Sequence, residues 1–235
     1  MTRRRWIADE YSPDRAALIG EHAAHLARTL RARIGQEFEV ACGERVHRAS
    51  VASVADDRVE FVLDEEIGAG SAARVTLLLA VFKFDRMEWA IEKCTELNVT
   101  NIVPVIARRT EKHLAAAAEK RVERWRRIAR EAAEQSRRVG PPEISDPMKL
   151  TDAWKIDVGL RILLSENERE LSLNELLQSR PAEAIALAVG PEGGWTDEEL
   201  RGFADSQWTS ASLGDTILRA ETAAIVALAI ARAST

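Results

Sequence analysis

The residues best equipped for chemistry lie in two glycine-bearing turns of the C-terminal half. Val189-Gly190-Pro191-Glu192-Gly193-Gly194-Trp195 follows a buried apolar run and precedes Thr196-Asp197-Glu198-Glu199. The Thr–Glu spacing predicts a capping box and a helix start. Three glycines and a proline are more than a plain strand-to-helix turn needs, and they let backbone approach a ligand closely. In open α/β sheets, ligands sit beyond the carboxyl ends of the strands. The turn is neither a Walker A sequence nor G-x-G-x-x-G, and no lysine follows its glycines to neutralise a triphosphate. Glu192, with Asp197, Glu198 and Glu199, disfavours a phosphate ligand. A nucleoside that carries positive charge and no phosphate fits better, and S-adenosylmethionine has that description.

The second turn is Ser212-Leu213-Gly214-Asp215-Thr216-Ile217-Leu218-Arg219-Ala220-Glu221. It too runs from a strand end through glycine into a helix. Glu221 at a helix N-terminus is favoured by the dipole and can be read as a simple capping acid. Arg219 opposes that dipole, which calls for an anionic partner. A third strand end, Leu163-Leu164-Ser165-Glu166, reads equally as part of a site or as an acidic surface turn.

The elements that must hold these turns can be read from hydrophobic period. Alternation of Val59, Phe61 and Leu63 predicts a half-buried strand over 58–63, with others over 4–8, 37–41 and 45–54. A helix is expected over 14–31, with Leu18, Ile19, Leu26 and Leu30 as its apolar residues. Gly68-Ala69-Gly70-Ser71 reads as a linker between domains 1–70 and 71–235. Beyond it, buried strands at 75–81, 102–106, 160–164, 184–189 and 208–213 alternate with helices at 85–97, 115–138, 173–177, 196–204 and 220–233. That alternation predicts an α/β domain with a largely parallel sheet. Asp85 is expected to cap its helix with Glu88 as partner.

The chain has 235 residues, 46% hydrophobic and 30% charged, which excludes disorder as its main state and suffices for a core without staples. No apolar run is long enough for a membrane span. Asp9 and Glu10 stand where a signal peptide would be apolar, so a cytoplasmic protein is expected. Cys42 and Cys94 are far apart, and His22, His25, His47 and His113 are scattered, so no metal is expected. The net charge of −5 hides an asymmetry. Residues 108–138 hold eleven Lys/Arg against five Asp/Glu, whereas residues 151–205 hold five against twelve. Such a basic stretch is either a solvated helix face laced with ion pairs or a surface for a phosphate backbone.

Four blocks then carry a resemblance: KFDRMEWAIEKCTELNV at 83–99, RWRRIAREAAEQSRR at 124–138, VGPEGGW at 189–195 and LGDTILRAETA at 213–223. RRRWI at 3–7 and HLARTLRARIG at 25–35 match more loosely. The chain resembles the SPOUT-class methyltransferases, and among them the ribosomal RNA small subunit methyltransferase E family, which methylates N3 of a uridine in 16S ribosomal RNA. The resemblance implies an N-terminal PUA-like β-barrel and a SPOUT α/β domain with a trefoil knot. It implies S-adenosylmethionine as cofactor, a homodimer, and small-subunit ribosomal RNA, within an assembled subunit, as partner. Asn98 stands where the family usually has Gly, as does Arg137 in many members, and Asn tolerates left-handed backbone.

The residues that the resemblance assigns to the cofactor are Leu164, Ser165, Glu166, Val189, Gly190, Pro191, Gly193, Gly194, Leu213, Gly214, Ile217 and Leu218. Arg219 is expected to orient the uracil or stabilise its anion, and Glu221 to act as base or as the partner that orients Arg219. Arg5, Arg31, Arg33, Lys83, Arg137 and Arg138 are the candidates for RNA contact. Uracil N3 is hidden in a duplex, so the target must be unpaired or flipped out. Trp195 is the tryptophan singled out as a stacking platform. A SPOUT enzyme acting on another RNA, or a non-catalytic ribosome-associated protein, are the competing readings.

Overall fold

The computed structural model describes residues 5–69 and 74–234. They fall into two compact units, 5–69 with 130–141 and 74–129 with 142–234.

The first unit is built on strands β1 (Arg5–Ile7), β2 (Glu10–Tyr11), β3 (Arg15–Ile19), β4 (Glu37–Cys42), β5 (Arg45–Val54) and β6 (Arg58–Ala69). Their order is β1-β4-β5-β6-β3-β2, antiparallel except for β1 against β4. The predicted alternation holds: Val59, Phe61 and Leu63 are buried beside Trp6, Leu18, Leu26 and Val51. Ala8 donates its N–H to the Ala41 carbonyl and the adjacent Asp9 donates to Ala17, so neighbouring residues bond opposite ends of the sheet path.

The helix expected over 14–31 is replaced by a strand in its first third and shortened to residues 21–29. Residues 15–19 form β3, and only α1 (Glu21–Ala24) and a π turn, His25–Thr29, are helical. Pairing on both sides, with β2 and β6, satisfies the β3 backbone and overrides its helical pattern. Ala16, Ala17 and Leu18 are all buried as a result. The expected linker also differs, because β6 continues through Gly68 and Ala69, while Gly70 and Ser71 lie outside the described residues. Arg3 and Arg4 of the N-terminal block lie outside them too.

The second unit contains, in chain order, β7 (Arg74–Ala80), α2 (Phe84–Glu96), β8 (Asn101–Ile106), α3 (Lys112–Ala117), a 3₁₀ turn (Glu119–Arg121), α4 (Val122–Gln135), β9 (Glu143–Ile144), β10 (Met148–Lys149), α5 (Leu150–Ala153), β11 (Leu160–Leu164), α6 (Leu173–Ser179), β12 (Ala184–Val189), α7 (Asp197–Asp205), β13 (Thr209–Ala211) and α8 (Ala220–Ala233). The sheet order is β10-β8-β7-β12-β11-β13, with β9 also on β8, and every pairing is parallel. This is the mixed α/β fold expected. Alternation along β7 sends Leu77 and Leu79 to one core and Leu78 and Ala80 to the other. The strands are therefore covered on both faces.

Two local expectations are corrected. The long helix is broken by the 3₁₀ turn, yet Leu114, Ala118, Val122 and Trp125 still bury into one core. Asp85 does not cap α2: Lys83 occupies the N-cap without a side-chain bond, and Glu88 accepts two bonds from Arg124, at 2.7 and 2.8 Å. A bidentate charge-assisted pair outcompetes a capping bond. Asn98 and Arg137 adopt φ of 64° and 62°, the left-handed backbone that glycine would favour. Among the described residues, no helix is long and apolar enough to cross a membrane, and no group of three His, Cys, Asp or Glu could hold a metal ion.

Candidate active site

β12, β11 and β13 are parallel neighbours, so the loops that leave their carboxyl ends converge. Together they wall a cavity of about 300 Å³, within the range of small-ligand pockets. Leu164, Ser165 and Glu166 come from the first loop, Val189, Gly190, Pro191 and Gly194 from the second, and Leu213, Gly214, Ile217, Leu218 and Arg219 from the third. Arg86 of α2 completes the wall. Gly193 does not line the cavity.

Local sequence explains how the glycine loop is held. Gly194 N–H donates to the Pro191 carbonyl at 2.8 Å, closing a tight turn, and the chain leaves that turn with φ of 68° at Gly194, backbone that favours glycine. A Cβ at Gly194 would stand 3.1 Å from Glu166 Oε1, and one at Gly190 3.1 Å from the Trp195 ring. The predicted capping box forms: Thr196 accepts from Glu199 N–H, and Glu199 reaches back to Thr196 N–H.

Trp195 is a support and not an open platform. It is 8% exposed, stands edge-on to Phe203 at 5.0 Å and donates its indole N–H to the Leu164 carbonyl at 3.2 Å. That bond staples the second loop to the end of β11. The large exposed aromatic in α2 is Trp89, 47% exposed.

The charges divide clearly. Arg86 donates to Glu192 at 2.8 Å and its Nε lies 3.8 Å from Glu221 Oε1. Glu221, in the first turn of α8, is 6% exposed, and its Oε2 has no hydrogen-bond partner among the described residues. Arg219 is the exposed N-cap of α8 and makes no ion pair among the described residues. No ion pair joins Arg219 to Glu221; the carboxylate faces Arg86 instead. Sequence reasoning left out Arg86, although it lies in the KFDRMEW block, because nothing local says that α2 points it at a loop more than a hundred residues away.

Residues 70–232 match the RNA methyltransferase domain family. Curated relatives include the ribosomal RNA small subunit methyltransferase E of Rickettsia conorii, 32% identical over 220 residues, 92% of this chain and 88% of that protein. The Bacillus subtilis protein of the same name is 30% identical over 226 residues, 90% of this chain and 87% of its own. The chain belongs to the ribosomal RNA small subunit methyltransferase E family. A crystal structure of the methyltransferase E from Neisseria gonorrhoeae, bound to S-adenosyl methionine, superposes with a TM-score of 0.85 at 29% identity, covering 96% of this chain and 95% of that one.

In this methyltransferase E family member, the six cations expected at RNA are placed differently from one another. Arg31, Arg33 and Lys83 are exposed, Arg31 with φ of 53° and Lys83 at the N-cap of α2. Arg5 and Arg137 both engage Glu39, and Arg5 also donates to the Arg137 carbonyl. The hydrogen bond from Arg137 is the main reason the Glu39 carboxyl lies below its usual range, with Arg5 adding to it against partial burial. Arg138 is half-buried.

Proposed function

We propose that this protein methylates N3 of a uridine in small-subunit (16S) ribosomal RNA with S-adenosylmethionine as methyl donor. The observation that carries the reading is the cavity at the strand ends, with glycine-bent backbone on one side and an uncompensated cation, Arg219, on the other.

The residues fit such a cofactor. Leu164, Leu213 and Leu218 give apolar walls, while Gly190 and Gly194 remove side chains where the backbone must come close. Glu166 suits a cationic ligand better than a phosphate, while Glu192 is already paired with Arg86. When bound, S-adenosylmethionine supplies an electrophilic methyl group on a sulfonium. The chain's own part is to orient the uracil, accept its N3 proton and stabilise the negative charge that remains on the imide. Arg219 faces that anion. Glu221 does not itself line the cavity but adjoins its lining residue Ala220; it is assigned the imide proton, with Arg86 beside its other oxygen. Alignment of nitrogen and methyl supplies the larger share of the acceleration, up to about 7–11 kcal/mol.

The wider reading follows the resemblance. Domains 1–70 and 71–235 divide the work, the first, joined by residues 130–141, as a PUA-like barrel for RNA and the second as a knotted SPOUT domain. The bonds of Ala8 and Asp9 to opposite ends of the first sheet support closure into a barrel. Ile217, 78% exposed at the cavity, supports a homodimer in which a second copy covers it. The protein works in the cytoplasm, where small subunits assemble.

The test is transfer of a labelled methyl group to undermethylated small subunits, followed by mass mapping of the modified nucleotide and atom. Label at uridine N3 supports the proposal. Label on transfer RNA or on a ribose assigns a different RNA reaction. Cofactor binding without any transfer assigns the non-catalytic role.

A further inference from the structure

The basic stretch that begins at Arg108 reads in sequence as surface for solvent or RNA. Arg108 and Arg109 are exposed, yet both bond to the segment 193–199. Arg109 Nη1 donates to the Gly193 carbonyl at 2.6 Å and to the Trp195 carbonyl at 3.2 Å. Its aliphatic stem lies 3.3–3.9 Å from where a Gly193 Cβ would stand. Gly193, which does not line the cavity, leaves room for the Arg109 stem. Arg108 N–H donates to Glu199 Oε1 at 2.7 Å, the carboxylate whose other oxygen accepts from Thr196 N and Oγ1 at 2.8 and 2.9 Å. Thr110, 8% exposed, donates to the Val81 carbonyl at 3.1 Å and accepts from Ala107 N–H at 3.2 Å.

Three consecutive residues therefore tie the end of β7, the start of α7 and the glycine loop to one turn. We propose that Arg108-Arg109-Thr110 is a brace that presets the glycine loop for its ligand, with Arg109 as a positioning residue for cofactor binding. The proposal rests on the reading that residues 189–195 hold S-adenosylmethionine. One guanidinium bonding two carbonyls removes the loop's freedom before the ligand arrives, so binding does not have to order it. Arg109 suits the position because its Nη1 carries two N–H donors in a fixed plane, directed at the two carbonyls, while its stem packs on glycine.

The test uses the full chain and two variants. R109M keeps the stem on Gly193 and removes every donor, and R109K keeps the charge with a single ammonium. Amide hydrogen exchange at 193–196 is measured without ligand, S-adenosylmethionine affinity by calorimetry, and methyl transfer at saturating cofactor. In R109M, exchange at 193–196 rises about 10-fold or more, cofactor affinity falls about 10-fold or more, and kcat at saturation stays near wild type. R109K recovers part of both losses. An R109M protein with wild-type exchange at 193–196 and wild-type cofactor affinity overturns the brace. A loss of kcat with unchanged affinity also overturns it. If the wild-type chain itself does not bind S-adenosylmethionine, the cofactor reading falls, and the ligand-free exchange result still decides whether Arg109 orders the loop.

Discussion

Replacing Gly194 with Ala tests whether the glycine loop's shape is what the ligand requires. Gly194 sits at φ of 68°, and a left-handed backbone costs a residue with a Cβ about 1–2 kcal/mol. The new methyl would also stand 3.1 Å from Glu166 Oε1, but Glu166 is exposed and can swing away, so the backbone cost dominates. The loop can respond in two ways. If it keeps its turn, stability falls by that amount, and Tm drops by roughly 2–8 °C for a chain of this size. If it relaxes, stability is kept and the same free energy reappears on binding, as about 5- to 30-fold weaker affinity for S-adenosylmethionine. Gly35→Ala is the control, with φ of 81°, open space within 4 Å of its Cβ and a place in the other unit. It carries the conformational cost without touching the cavity. Thermal melts and calorimetry on both variants read the two quantities. The reasoning is refuted if G194A leaves both melting and affinity unchanged, or if G35A weakens cofactor binding as much as G194A does.

Glu221→Gln keeps the shape and removes the proton acceptor, so methyl transfer falls about 100-fold or more while cofactor affinity holds; a wild-type rate removes Glu221 as base. Gly202→Ala drives a methyl to 2.3–2.7 Å from the Trp154 ring, inside any tolerated contact, and destabilises by about 1–3 kcal/mol or more; an unchanged urea midpoint would show that the ring moves freely. Acid stability is set in part by the first unit. Partial burial of Asp9 would raise its pKa, but hydrogen bonds from His22 and the Ile19 N–H, with Arg130, outweigh it and hold it below its ordinary 3.8. Glu39 is held below 4.5 by Arg137 and Arg5. Both carboxylates are depressed in the folded state, so their stabilisation is present above pH about 4.5 and is lost as pH falls through the lowered values. Arg137→Met therefore flattens the acid limb of stability against pH, and an acid limb as steep as wild type would contradict this.

Local signals carried much of this architecture. The apolar run at 184–189, three glycines and a Thr-x-x-Glu box specify β12, its loop and the start of α7 through interactions within a few residues, and all formed as read. α8 likewise spans the residues its composition indicated. Asn98 and Arg137, the two positions at which the resemblance implies glycine-like backbone, are both left-handed. What neighbouring residues could not decide were partnerships across the chain. Residues 15–19 became a strand because β2 and β6 lie on either side of them, not because of their own pattern. Glu88 turned from a capping role to Arg124 because α4 brings a guanidinium within reach. Arg86 and Arg109 reached the glycine loop from more than eighty residues away, and Trp195 became a staple for the Leu164 carbonyl. Period, glycine and capping chemistry act over one or two turns, and they settled the elements and their loops. Which cation meets which carbonyl or carboxylate depends on how a parallel sheet orders its strands, and only the folded chain brings those groups together.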